Sequence, residues 1–146
     1  MNIRRSRIAL AGFVLFLVVL IVLADSGHGQ RIFALAGRIP AGDKLGHFFL
    51  FGLLSFLVNL NWRTERMRLL GLRVLQGSAA IMVLVTIEEC SQVLFRSRTF
   101  DLLDLASDAL GICLFGWLAA VWLERKRRQL QSPAVPTRVQ VLPPLG

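Results

Sequence analysis

Cysteine, histidine and acid are all scarce in this 146-residue chain, and each scarcity excludes something. The two cysteines, Cys90 and Cys113, both fall inside apolar segments. At helical rise they lie ~8 Å and ~17 Å below the outer ends of their helices. A disulfide needs Cα atoms within about 7 Å, so two free thiols are expected. No serine or cysteine stands in a nucleophile motif, which counts against a covalent mechanism. There is no internal repeat, and no stretch is left over for a soluble catalytic domain.

What the chain has in abundance is apolar sequence. Hydrophobic residues make up 55% of it, and the mean hydropathy is +0.61. Both values belong to the membrane class. Apolar segments run over about 8–24, 45–60, 74–95 and 102–123. A helix needs roughly 20 residues to cross the hydrocarbon core. The second and third segments reach that length only by including polar residues at one end. The expected fold is an all-α polytopic membrane protein, four transmembrane helices in one bundle. Residues 1–7 form a basic N-terminus, and 131–146, with Pro133, Pro136, Pro143 and Pro144, form a disordered tail.

Charge then orients the bundle. Arg4, Arg5, Arg7, Arg63, Arg66, Arg68, Arg73, Arg125, Lys126, Arg127, Arg128 and Arg138 share one side with only Glu65 and Glu124. The other side holds Arg31, Arg38, Lys44, Arg96 and Arg98 against seven acids, so the first side nets +10, this one −2, and the whole chain +8. The positive-inside rule places both termini and the 61–73 loop in the cytoplasm of a bacterial inner membrane. A basic balance of this kind is explained by topology and anionic lipid, not by nucleic acid. A cleaved signal peptide is the rival reading of the first segment. Its apolar run exceeds the usual ~7–15 residues, and Val22 stands where a small residue is expected. The external loop 25–44 carries His28 and an amphipathic stretch, Gln30–Arg38, suited to a short interfacial helix. Trp62, Trp117 and Trp122 sit where an aromatic belt would lie. Gly116 and Ala120 have the spacing of a close helix contact.

Four polar clusters fall at one depth. Asp43, Lys44 and His47 open the second segment, and Glu88, Glu89 and Gln92 lie near the end of the third. Arg96 and Arg98 occupy the next loop, and Asp101, Asp104 and Asp108 begin the fourth segment. An ionisable group inside a bilayer costs from a few to more than about ten kcal/mol. Asp43 and His47 are four apart, and so share a helix face, as do Glu88 and Gln92. Asp101, Asp104, Asp108 and Gly111 form one stripe. Glu89 and Asp108 each lie ~9–10 Å below an outer helix end. Three helices therefore aim polar groups at one outward-open pocket, which His47 can share. Ser55, Asn59 and Thr86 can satisfy themselves against backbone carbonyls.

These elements resemble the VanZ-like family of small bacterial membrane proteins. The match comprises D-K-x-x-H (Asp43, Lys44, His47) before a Phe-rich run, then E-x-x-Q (Glu89, Gln92) and Arg98. D-x-x-D (Asp101, Asp104) and a Gly111–Gly116 pair complete it, from residue 43 to about 118. The family usually has Asn where this chain has Asp108, an extra acid that could change a proton state or a bound ion. The family is named for a protein conferring low-level teicoplanin resistance. The resemblance implies a role in cell-envelope homeostasis or glycopeptide tolerance.

Three functional classes follow. The cluster could be a structural lock, with Lys44, Arg96 and Arg98 neutralising acids and Gln92 and His47 completing the network. It could be an enzyme acting on a lipid or lipid-linked envelope precursor. Glu89 and His47 would then do acid–base work with Asp104, Asp43 orienting His47, and Lys44 and Arg98 holding a head group. It could be a small ion or ligand transporter as an oligomer, since polar residues thin out toward the cytoplasmic half and leave one monomer without a through-path. His47, Glu89, Asp104 and Asp108 could also offer one nitrogen and several oxygens to Mn²⁺, Mg²⁺ or Zn²⁺. A single span histidine is more often a hydrogen-bonded residue than a ligand, so the sequence assigns no metal and no cofactor. Membrane lipids are the expected partners.

Overall fold

The computed structural model describes residues 3–26, 41–62, 64–69, 72–94 and 101–131. Helix α1 (Ile3–Asp25) is followed by α2 (Gly42–Asn61), a hairpin of β1 (Arg66–Leu69) and β2 (Leu72–Leu75), and α3 (Gln76–Ser91). A 3₁₀ turn (Gln92–Leu94) and the long α4 (Leu102–Gln131) complete the order. The external stretch with Gln30–Arg38, the Arg96 and Arg98 loop and residues 132–146 lie outside the described residues.

The fold is helical, as composition requires, and α1, α2 and α4 are long and apolar enough to cross a membrane. The segment at 74–95 is shorter than expected: α3 has 16 residues, ~24 Å at helical rise. Two physical reasons shorten it. Val74 and Leu75 are drawn into the hairpin, where they pair with Met67 and Arg66. At the other end the Gln92 amide is shared between the Glu88 and Glu89 carbonyls, which tightens the helix into the 3₁₀ turn.

The hairpin corrects the reading of 61–73 as a plain loop. Arg66 and Arg68 alternate with Met67 and Leu69, and Arg68 stands opposite Arg73. Like charges directly opposite are unfavourable in a sheet, so this basic ribbon suits water or anionic head groups. It also starts α3, because the Gln76 amide donates to the Glu65 carbonyl at 2.9 Å. That bond satisfies one of the orphan amides of an uncapped helix.

The core lies between α2, α3 and α4, with Leu17 added by α1. Phe51, Leu54, Val58, Ile81, Val85 and Ile112 form it, and Val85 and Ile112 are 1% exposed. Glycine permits the α2–α4 approach: a Cβ on Gly111 would stand 2.1 Å from the Phe48 carbonyl oxygen. A Cβ on Gly116 would stand 2.3 Å from Ser78 Oγ. Gly111 thus lets α2 approach α4 and Gly116 makes room for Ser78 of α3, with Ala119 fully buried beyond them. Helix α1 is peripheral. Only Ser6 and Leu17 are buried among its described side chains.

Past the span, α4 continues to Gln131, its basic residues favourably placed at the C-terminal end of the dipole. Arg128 donates to Glu124 at 2.6 Å, and Lys126 Nζ lies 5.2 Å from the Trp122 ring centre. Trp62, Trp117 and Trp122 are all exposed. Cys90 and Cys113 are free, exposed thiols.

Candidate functional site

The start of α4 is set by Asp101. Its carboxylate accepts from the Leu103 amide at 2.8 Å, and its carbonyl accepts from the Asp104 and Leu105 amides. This is an N-cap, and an acid there also complements the helix dipole. The cap fixes the stripe that follows, so that Asp104 and Asp108 turn inward and become 7% and 0% exposed.

Helix α2 brings Lys44 and His47 to these acids. Lys44 Nζ donates to Asp101 Oδ2 and to Asp104 Oδ1, both at 3.0 Å. One turn deeper, His47 Nδ1 lies 3.1 Å from Asp108 Oδ1 and 3.2 Å from Oδ2. The Lys44 ammonium first, and the Leu103 amide second, hold the Asp101 carboxyl below the ordinary aspartate range.

Helix α3 closes the third side. Glu89 is completely buried. Its Oε2 accepts from Gln92 Nε2 at 2.7 Å, and its Oε1 accepts from the Asp101 backbone amide at 2.9 Å. Gln92 also donates to Glu88 at 3.2 Å. Glu89 therefore ties the end of α3 to the cap of α4, two elements joined by the 95–100 stretch.

Of the residues singled out from sequence, Lys44, His47, Glu89, Gln92, Asp101, Asp104 and Asp108 meet in one cluster. Asp43 stands exposed at its rim, and Arg98 lies outside the described residues. The partner of His47 is Asp108 on another helix, where the sequence offered Asp43 on its own. Lys44 is engaged by two carboxylates. Two triads have the spacing of metal ligands. One nitrogen or oxygen each from His47, Glu89 and Asp108 lie within 4.8 Å of one another, and so do those of Asp43, His47 and Asp104.

A second polar cluster, read in the sequence as self-satisfied, bridges helices at the opposite end. Ser55 Oγ donates to the Ile112 carbonyl and lies 3.0 Å from Ser78 Oγ. Asn59 Nδ2 donates to the Ser55 carbonyl at 2.8 Å and to Ser78 Oγ at 2.9 Å. Asn59 Oδ1 has no hydrogen-bond partner among the described residues and faces Gly77, where a Cβ would stand 2.6 Å away. The four-residue spacing of Ser55 and Asn59 was the signal available, since it puts both on one helix face. Between the two clusters lie Phe51, Val85 and Ile112.

The chain matches no protein-family model, no curated protein and no solved structure.

Proposed function

We propose that this chain is a VanZ-like protein of the bacterial inner membrane, acting in cell-envelope homeostasis or glycopeptide tolerance. In this reading four spans carry both termini in the cytoplasm, and the acidic cluster opens to the periplasmic side as the working site. The observation that carries it is the meeting of His47, Glu89 and Asp108 from three different helices within 4.8 Å, two of them without exposure. His47 and Glu89 belong to the motifs that carry the resemblance, and Asp108 stands where that family usually has Asn.

The chemistry that suits this arrangement is proton transfer at the head of a lipid or lipid-linked envelope precursor. His47 has Nδ1 held against Asp108, which orients the ring and leaves the other nitrogen for exchange. Glu89, anchored by Gln92 and the Asp101 amide, is the second acid–base group. Lys44 balances Asp101 and Asp104 at the entrance, where a head-group phosphate or carboxylate would compete for it.

The lock reading has its own support in the Lys44 bridge and in Glu89 bonding across to α4. Interhelical polar contacts of this kind are worth only ~0.6–2 kcal/mol each. A monomeric transport path is opposed by Val85 and Ile112, which seal the three-helix interior below the cluster.

The test is a mass-spectrometric profile of envelope lipids and lipid-linked precursors. A deletion strain is complemented with wild type or with Glu89→Gln at matched protein level. A species that shifts with wild type and not with the variant is expected. A profile unchanged by both overturns catalysis on those lipids.

A further inference from the structure

The arginine-rich end of the molecule carries a groove unrelated to the acidic cluster. It has a volume of about 610 Å³ and lies between the start of α1 and the end of α2. Leu10, Ala11, Val14 and Val18 wall it, and Arg7, Asn61 and Trp62 form its mouth. Arg7, Ala11, Val14 and Val18 fall at offsets of 4, 7 and 11, one stripe along α1. The mouth is built by a latch: Asn61 Nδ2 donates to Ser6 Oγ at 3.0 Å and to the Leu57 carbonyl at 2.8 Å. This latch buries Ser6 and turns Arg7 to the outside.

Three features identify the occupant. Val14 and Val18 are 41% and 50% exposed, an apolar wall that nothing in the described residues covers. From Arg7 to Val18 is ~16 Å at helical rise, about half of a ~30 Å hydrocarbon core. On the membrane reading of α1 the groove is one leaflet deep, with its polar mouth at head-group level and its floor at the midplane. The Arg7 guanidinium is exposed and has no hydrogen-bond or ion-pair partner among the described residues, unlike its neighbour Arg4. Trp62, 48% exposed, supplies the amphipathic ring that favours this level.

We propose that this groove is a specific site for one anionic glycerophospholipid of the adjacent leaflet, its phosphate on Arg7 and one acyl chain along Leu10, Val14 and Val18. The site rests on the membrane reading of the chain and is independent of the chemistry at Glu89. A guanidinium beside a shallow apolar channel binds phosphate with two parallel donors, while the channel replaces neighbouring lipid contacts for the chain. Selectivity for an anionic over a zwitterionic head follows from the net charge that Arg7 meets.

The test uses the full chain in mild detergent, equilibrated with equal amounts of phosphatidylglycerol and phosphatidylcholine of identical chains and read by native mass spectrometry. Wild type is expected to retain one phosphatidylglycerol, favoured by about fivefold, the worth of one basic residue at an anionic surface. Arg7→Gln should bring the two lipids to parity. Ala11→Trp, which fills the channel, should lose both. Arg127→Gln, an exposed cation outside the groove, should leave the preference intact. The proposal is overturned if Arg7→Gln keeps the preference, if Arg127→Gln loses as much, or if Ala11→Trp retains lipid. Displacement by glycerol 3-phosphate alone would mark a soluble-anion site, and dimerisation lost in Ala11→Trp would mark a protein interface; either result also overturns it.

Discussion

The same three helices meet twice in polar contact, and the two meetings are built from different chemistry. At the Gly42 end of α2 the contact is built on carboxylates: Asp101 and Asp104 with Lys44, Asp108 with His47, Glu89 with Gln92. Toward the Asn61 end it is neutral, an amide and two hydroxyls, Asn59, Ser55 and Ser78. The difference follows what each contact does. A neutral cluster can find donors and acceptors in backbone carbonyls and small neighbours, as the Ser55 hydroxyl does at Ile112 and the Asn59 Nδ2 group does on its own helix. That is enough to fix register. Several buried carboxylates exceed what register requires, since each carries a desolvation cost that a serine does not. Partial exposure of Lys44 and Asp101, 31% and 40%, keeps the carboxylate end in contact with solvent. On the proposed function, the carboxylate cluster is the working site and the Ser55–Asn59 cluster the lock.

Four perturbations sharpen or break this comparison, in descending order of effect. Gly111→Ala should cost about 3 kcal/mol or more, because its Cβ meets backbone and cannot be relieved by a rotamer. Thermal unfolding in detergent measures it, and a loss below about 1 kcal/mol would mean that α2 and α4 do not meet through this residue. Glu89→Ala strands the Asp101 amide and the Gln92 side chain, at about 2–3 kcal/mol. Glu89→Gln keeps the shape and should cost less than half as much. Equal costs for the two would mean that the charge, and not the tie, holds the helices.

Ser55→Ala should cost about 1 kcal/mol, as other interhelical polar contacts do, and should leave function intact. Complementation by this variant checks the separation between lock and site.

The smallest effect concerns pH. Lys44 lowers the folded pKa of Asp101, so the stabilisation is fully present above the ordinary value of ~3.9 and is lost as pH falls through the lowered folded value. Unfolding curves from neutral to acid pH should show this loss in wild type. Asp101→Asn should lack that component of it.

Much of the carboxylate cluster was legible because helical spacing is a strong constraint. The stripe of Asp101, Asp104, Asp108 and Gly111 needed only a period of 3.6, and it continues in the structure through Ile112, Gly116 and Ala119. The pairing of His47 was not legible. Four-residue spacing to Asp43 is a local regularity, whereas contact with Asp108 depends on how closely α2 and α4 approach, and Phe48 and Gly111 decide that. The hairpin was missed because four residues of alternation, Arg66–Leu69, are too short to outweigh a basic, glycine-containing loop. The Ser55–Asn59 cluster was missed for a related reason. Asn59 does donate to a carbonyl of its own helix, but the Ser55 hydroxyl goes to Ile112 of α4 and both meet Ser78 of α3, approaches that spacing within one helix does not show.

The most direct test of site against lock is a paired measurement on Glu89→Gln and Ser55→Ala, unfolding midpoint and complementation of a deletion strain under teicoplanin. The account predicts that Glu89→Gln accumulates and unfolds close to wild type yet fails to complement, while Ser55→Ala loses stability and still complements. Glu89→Gln complementing as wild type does, or failing only in proportion to lost protein, would contradict it.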